Sequence, residues 1–562
     1  MTIKINGKDY QFEKGQTILE VARANNINIP TLCYLKGIIE EANCRICMVE
    51  LANGKLVPAC ATKAQDGMEL LTKSDKVIAS RKNTLKLILA DHHKDCLNCK
   101  KNMKCELQKL FIEYDIADDD NAGKEKKEFD TTSPCIVRDN SKCILCGRCV
   151  AVCKNTQSVS ALTKSQRGYK TVVGCSLSKG LKDSTCVGCG QCTLVCPTGA
   201  LTEKCAIKEL EEVLKNPEIQ VYAQIAPSVR VSLAEAFGNP VGTFDEGRMV
   251  AALKKLGFDK VFDINLGADF TVIEESNELL ERIKHNNLLP QFSSCCPAWF
   301  KFVQTFYPDH TKLLSTCKSP TEMLGAIIKN YYAKKENIDR KNIKVVGIMP
   351  CTAKKGEKER GEDVDIVLTT RELAELIKMK GVDYNNLPEE KFDSPLSYYS
   401  GAGLIFGATG GVTEAVLRNV MANLGEDKVE FEEVRKSEGR KEVVVKCGDV
   451  ELNLCIVNGL SNAKKVMDDI VSGAKTYHFV EVMACPGGCV NGGGQNYVDY
   501  KEIDVEDVKK LRAGSIYAHD KKSKDRVSSK NLTMQEIYKE FFIPTPELAE
   551  EILHYHTEEE HN

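Results

Sequence analysis

Residues 476–495 read TYHFVEVMACPGGCVNGGGQ, a β-rich run that ends in a loop of thiols and glycines. The run 476–483 is β-prone, and Cys485 and Cys489 follow just beyond its end. In parallel α/β sheets, ligands sit outside the carboxyl ends of the strands. The stretch therefore reads as a strand delivering two cysteines to a site. IKVVGIM (343–349) repeats the pattern, with Cys351 following as MPC. Working outward, IQVYAQIA (219–226), KVFDIN (260–265) and DVDIVLTT (363–370) are further β runs. Helical stretches such as GRMVAALKKLG and TRELAELIKMKG fall between them. That alternation predicts an α/β domain with largely parallel sheets. Gly487, Gly488 and Gly492 to Gly494 are expected to let backbone approach something bulky. A tight glycine loop beside a structural metal is the plainer alternative.

The chain has 562 residues, 26 cysteines and a formal net charge of -3. That length predicts three or four domains. The charge balance gives no electrostatic case for nucleic acid or an anionic membrane. The opening MTIKINGKDYQFEKG has no apolar run of the secretory type, and the uncharged run 397–413 is too short and glycine-rich to span a bilayer. A cytoplasmic location is expected, where clustered thiols are metal ligands more often than disulfides.

Upstream, Ile3, Ile5, Tyr10 and Phe12 predict a hairpin turning at Asn6-Gly7, followed by a helix near Thr17–Asn25. Cys33, Cys44, Cys47 and Cys60 on this small β-rich segment resemble a 2Fe-2S ferredoxin with a long first gap; zinc would accept the same four thiolates. Next, a helix with Leu85, Ile88 and Leu89 leads into His92-x3-Cys96-x2-Cys99-x5-Cys105. On this segment alone zinc and a 4Fe-4S cluster are equally good readings, and His93 is an alternative to His92. After the charged linker GKEKKEFD, Cys143, Cys146, Cys149 and Cys153 are matched by Cys186, Cys189, Cys192 and Cys196-Pro197. This is the two-cluster bacterial ferredoxin pattern, in which the fourth cysteine of each run serves the other cluster. Cys143, Cys146, Cys149 and Cys196 are thus assigned to one cluster, and Cys186, Cys189, Cys192 and Cys153 to the other.

SSCCPAW (293–299), MPCTAKK (349–355) and MACPGGCVNGGGQ (483–495) together resemble the three signature motifs of FeFe hydrogenases, and the upstream cluster order resembles the monomeric clostridial type. The resemblance covers essentially the whole chain. It implies an α+β multidomain fold: a β-grasp 2Fe-2S domain (1–78), a His/Cys 4Fe-4S domain (79–124), a two-cluster ferredoxin domain (125–206), a large α/β domain (207–514) holding the H-cluster, and a small-subunit-like C-terminal segment (515–562). The implied cofactors are one 2Fe-2S cluster, three accessory 4Fe-4S clusters and the H-cluster. The last is a 4Fe-4S cubane bridged by Cys489 to a two-iron unit with CO, cyanide and azadithiolate, its other cubane ligands being Cys296, Cys351 and Cys485. Lys354 matches a hydrogen-bond donor to a cyanide. Pro227 and Ser228, in APSVR, match another cyanide contact, and Met349, Met483 and Phe406 match pocket-lining positions; core packing is the plain reading of the last three. Thr321 stands where a glutamine is common.

The resemblance also assigns the adjacent thiols Cys295 and Cys296 different tasks: Cys296 a ligand, Cys295 the proton donor. Segment 269–286, DFTVIEESNELLERIKHN, is helical by pattern, with Glu275, Glu278 and Arg282 on one face. By default that is a solvated face; the resemblance makes Cys295, Glu275, Ser315 and Glu278 a proton relay. Cys135, Cys175, Cys205, Cys317, Cys447 and Cys455 read as buried small hydrophobes, and His554, His556 and His561 as surface residues. The implied activity is ferredoxin-dependent interconversion of protons and dihydrogen, with maturation proteins supplying the two-iron unit. An electron-transfer subunit of an NADH or formate dehydrogenase would explain residues 1–206 but not 485–495. A hydrogenase-like sensor or assembly factor would not need Cys295.

Overall fold

The alternation read from residue 219 onward folds into two four-stranded sheets. This is a computed structural model, and it describes residues 1–116, 128–426, 428–435, 439–448, 450–498 and 503–555. The elements that build the site are β1 (Gln220–Ile225), β2 (Lys260–Asp263), helix α1 (Ile264–Lys284), β3 (Gln291–Phe292), α2 (Pro297–Phe306), α3 (Pro320–Ile327), β4 (Ile343–Met349), β5 (Ile366–Thr369), β6 (Arg440–Cys447), β7 (Val450–Asn458), β8 (Phe479–Met483), α4 (Val505–Asp520) and α5 (Glu547–Leu553).

The first sheet has the order β2-β1-β4-β5 and is parallel throughout. Val221, Ala223, Ile225, Val345 and Ile348 are buried, as strands covered on both faces require. The second sheet has the order β3-β8-β7-β6, with β3, β8 and β7 parallel. Only β6 runs antiparallel, as the outer arm of a hairpin with β7; the sequence reading passed over this hairpin. The predicted strand 260–265 stops at Asp263, whose side chain accepts from Asn265 N–H and starts α1. Helix α1 thus begins five residues before the predicted 269.

Residues 1–186 and 191–203 form one compact unit, and residues 187–190 and 204–562 another. In the first unit, β strands Thr2–Ile5 and Lys8–Gln11 form the expected hairpin, with Asn6 and Gly7 both at positive φ. They belong to a five-stranded mixed sheet. Helix Ile18–Ala24 carries a Thr17/Glu20 capping box. Two expected domain boundaries fall inside helices: 78/79 within Asp75–Ala90 and 514/515 within α4. The boundary at 124/125 and linker residues 123–127 lie outside the described residues.

Candidate functional site

Both sheets of the second unit point their carboxyl ends at one pocket. β4 delivers Cys351 and β8 delivers Cys485, while β1 leads into the turn Pro227–Val229. Cys296 caps α2, with Pro297 at its first position. Burial raises its thiol, and the N–H groups of Ala484, Trp299 and Ala298 that face the sulfur offset this only in part. A helix N-terminus favours negative charge, so the position suits a thiolate. Burial pushes the Cys489 thiol well up, and the neighbouring thiols of Cys485, Cys351, Cys296 and Cys295 push it further. All five sulfurs therefore share one pocket. Cys295, Cys296, Cys351 and Cys489 are half-buried and Cys485 is buried.

The glycines of 485–495 answer to close chain packing. A Cβ on Gly492 would lie 2.2 Å from Pro350 O, and one on Gly493 2.2 Å from Cys189 O. At these two positions it is neighbouring backbone that comes this close. Alongside, Thr352 Oγ1 donates to Gly188 O at 2.7 Å.

Around the thiols, Lys354 is buried and its Nζ lies 2.6 Å from Glu357 Oε2. Glu357, missed in the sequence, sits at i+3 on the same short helical turn. Pro227 and Ser228 are buried, and Ser228 Oγ donates to Gly407 O at 3.2 Å. Phe406 and Met483 belong to one packed apolar cluster and Met349 to another. Thr321, on α3, places Oγ1 3.7 Å from Met349 Sδ and so faces the same wall.

The charged face of α1 is not solvated. Glu275 is 0% and Arg282 8% exposed. Burial, then the nearby Glu278 charge, pushes the Glu275 carboxyl up to about 8. Its Oε1 accepts from Ser294 N–H at 3.3 Å, while Oε2 is buried without a partner. Burial first, then the charge of Glu275, raises the Cys295 thiol well above its usual range, which places the two side by side. Further out, Ser315 Oγ donates to Glu278 Oε2 at 2.6 Å and Arg282 holds Glu278 Oε1 at 2.6 Å. Arg282 also donates to the carbonyls of Leu288, Leu313 and Leu314. Cys317, read as filler, lies with its sulfur 3.8 Å from Glu278 Oε2.

Two other sequence readings are corrected. Cys205 is exposed, unlike Cys135, Cys175, Cys317, Cys447 and Cys455. His554 is only 6% exposed, because the chain after α5 bridges to the segment that carries Ser315. His556 and His561 lie outside the described residues.

In the first unit, Cys47 and Cys60 have their sulfurs 3.2 Å apart. Hydrogen bonds from Cys44 and Cys60 pull the Cys33 thiol down, so Cys33 neighbours both. One cavity is lined by Cys143, Cys146, Cys149 and Cys196, the set assigned to a single cluster. Another is lined by His92, His93, Cys96, Cys99 and Cys105. Both imidazoles reach it. Cys153, Cys186 and Cys192 pack in one apolar cluster. Among the described residues, no three His, Cys, Asp or Glu side chains converge as on a single metal ion.

Comparison with known proteins matches residues 219–493 to the C-terminal domain of the iron-only hydrogenase large subunit, and residues 506–557 to the iron hydrogenase small subunit. Residues 1–75 match a 2Fe-2S cluster binding domain, 81–119 the NADH-ubiquinone oxidoreductase-G iron-sulfur binding region and 142–200 a 4Fe-4S dicluster domain. The chain is 44% identical to an NADP-reducing hydrogenase subunit of Solidesulfovibrio fructosivorans, covering 99% of this chain and 98% of that one. It is 42% identical to iron hydrogenase 1 of Clostridium pasteurianum, covering 99% of each. An apo FeFe-hydrogenase structure from Chlamydomonas reinhardtii shares 34% identity at a TM-score of 0.56, over 63% of this chain and 98% of that chain.

Proposed function

The chain belongs to the FeFe, or iron-only, hydrogenase family, and we propose that it catalyses the reversible reduction of protons to dihydrogen with electrons from ferredoxin. The carrying observation is the pocket where Cys295 meets Cys296, Cys351, Cys485 and Cys489 at the carboxyl ends of strands from both sheets. Cys296, Cys351, Cys485 and Cys489 would hold a 4Fe-4S cubane there. The two-iron unit, when bound, supplies the iron chemistry that interconverts protons, electrons and dihydrogen.

The protein's own groups do the rest. Cys295 holds the proton delivered to the reacting centre. Glu275, kept protonated near neutral pH by burial, exchanges it. Ser315 and Glu278 continue the line outward, and Arg282 fixes Glu278. Lys354, held in place by Glu357, presents its amino group to an anionic ligand, and Ser228 presents a hydroxyl. Met349, Met483, Phe406 and Pro227 keep the walls apolar and dry, which strengthens each charge inside. Cys33, Cys44, Cys47 and Cys60 hold a 2Fe-2S cluster on a β-grasp sheet. His92 with Cys96, Cys99 and Cys105, and the two ferredoxin-type sets, hold three 4Fe-4S clusters. The five-domain division given above, the cytoplasmic location and the need for maturation proteins belong to the same reading. Among the described residues no helix is long and apolar enough to cross a membrane.

A second electron partner has one observation in its favour. A relative covering the whole chain is named as a subunit of an NADP-reducing hydrogenase. The chain has no G-x-G-x-x-G opening a helix after a strand, so nicotinamide chemistry would reside on another subunit. An infrared spectrum of matured protein tests the main proposal: metal-bound CO and cyanide stretches are expected, and their absence overturns it. Turnover with reduced ferredoxin against NADPH as sole donor, the latter measured on the protein purified together with any partner subunits, separates the two electron partners.

A further inference from the structure

The C-terminal chain reaches the outer end of the relay. His554 forms an isolated antiparallel bridge with Cys317. Lys318 N–H donates to Leu553 O and Tyr555 N–H to Thr316 O, both at 2.8 Å. The pairing lays His554 along 315–318, the stretch that supplies the relay hydroxyl of Ser315. Its Nδ1 lies 2.9 Å from Thr316 Oγ1, and its Nε2 lies 3.4 Å from Glu274 Oε2. Thr316 in turn donates its backbone N–H to both oxygens of Glu278 at 3.3 Å. One residue therefore separates the imidazole from the outer carboxylate of the relay.

The groups facing His554 come from four elements. Helix α1 contributes Glu274 and Glu278, the latter paired with Arg282. Tyr538 bonds Glu274 with its hydroxyl. Cys317 lies across the bridge as a buried thiol. Glu550, on α5, brings Oε2 to 3.8 Å of Nε2 and is 66% exposed. Burial opposes the imidazolium, but the hydrogen bond to Glu274 and the charges of Glu550, Glu274 and Glu278 outweigh it, so the ring holds its proton above the usual histidine range.

We infer that His554 is a positioning residue of the proton relay, with its imidazole orienting the Thr316 hydroxyl and holding the 315–318 segment against Glu278. The inference rests on the relay reading above. Nε2 faces a carboxylate and so carries a hydrogen. In the neutral ring Nδ1 then accepts from the Thr316 hydroxyl. When Nδ1 takes a proton from solvent, it donates to Thr316 Oγ1, and the hydroxyl hydrogen turns away from the ring. Protonation thus reverses the hydroxyl on the residue whose N–H holds Glu278. No covalent bond between heavy atoms changes.

The test uses matured full-length protein and four variants: His554→Ala, His554→Gln, Thr316→Val and, as a control on the relay itself, Glu278→Ala. Dihydrogen evolution with excess reductant is measured from pH 5.5 to 9, with infrared bands recorded for each variant. His554→Ala and Thr316→Val should keep CO and cyanide bands yet lose ~10-fold in rate, short of the ~10²–10⁴ share of a group that itself transfers the proton. His554→Gln keeps a partner for Thr316 without a titrating charge. It should recover most of the rate and lack the ionisation that shapes the alkaline limb in wild type. If His554→Ala matures poorly, Thr316→Val decides alone, since Thr316 is exposed and the change is nearly isosteric. Wild-type rate and pH profile in Thr316→Val and His554→Gln overturn the inference. A normal rate in Glu278→Ala would instead overturn the relay. A large loss in Glu278→Ala beside normal His554 and Thr316 variants would overturn this inference alone.

Discussion

Glu275→Gln should make the protein more stable at alkaline pH and almost inactive. The Glu275 carboxyl is fully buried, and its proton affinity rises from the ordinary 4.5 to about 8. The unfolded chain ionises this group above 4.5, while the folded chain keeps it protonated up to about 8. Between those values the folded state binds more protons, so stability falls as pH rises and levels off above about 8. At 1.36 kcal/mol per pH unit, the full effect is about 5 kcal/mol. Glutamine keeps the shape and removes the ionisation. At roughly 1.5 °C per kcal/mol for a domain of this size, the melting-temperature gain of Glu275→Gln over wild type should grow by ~7 °C between pH 5 and pH 8.5. Calorimetric scans at a series of pH values on protein with all clusters in place read this directly. The same variant should evolve dihydrogen more than ~100-fold slower with excess reductant, because an amide cannot pass the proton on. Equal melting-temperature differences at both pH values would refute the buried, protonated carboxyl. Wild-type turnover would refute its place in the relay.

The adjacent cysteines should fail differently. Cys296→Ala should lose the cubane signal in EPR, whereas Cys295→Ala should keep every cluster and both CO and cyanide bands while losing over ~100-fold in turnover. Lys354→Asn leaves Glu357 buried without its 2.6 Å partner and should lower occupancy of the two-iron unit, read from infrared intensity against total iron; unchanged occupancy would refute the role. Asp520→Ala strips Arg418 and Arg526 of carboxylate bonds at 2.7–3.3 Å and should cost ~3 kcal/mol, seen as a lower melting temperature. Despite burial, those arginines hold the Asp520 carboxyl below its usual range, so its contribution is present above pH ~4 and lost as pH falls further. Metal analysis should find iron and no stoichiometric zinc at the His92 site; zinc there would overturn the three-accessory-4Fe-4S reading.

The sequence by itself located the thiols and the strands that deliver them. Cysteine spacing is local, so Cys143 to Cys153 and Cys186 to Cys196 announce their chemistry within short runs. The strand Ile343–Met349 is legible to the residue, because buried Ile343, Val345, Val346, Ile348 and Met349 with Gly347 leave no competing periodicity. Helix α1 was read five residues short at its start, because its first turn is as apolar as the strand before it. The family resemblance named Glu275 and Glu278, but the pattern on α1 gave only a charged face. What decided burial was the chain from 291 to 318 wrapping over that face, contributing Ser294, Ser315 and the carbonyls that engage Arg282. His554 was read as a surface residue because the last stretch of sequence is polar and short. Its burial arises from an isolated bridge between residues 237 positions apart, Cys317 and His554, and from Glu274 on α1. A single side chain's surroundings are set by which distant segments pack on it, and spacing along the chain carries no record of that.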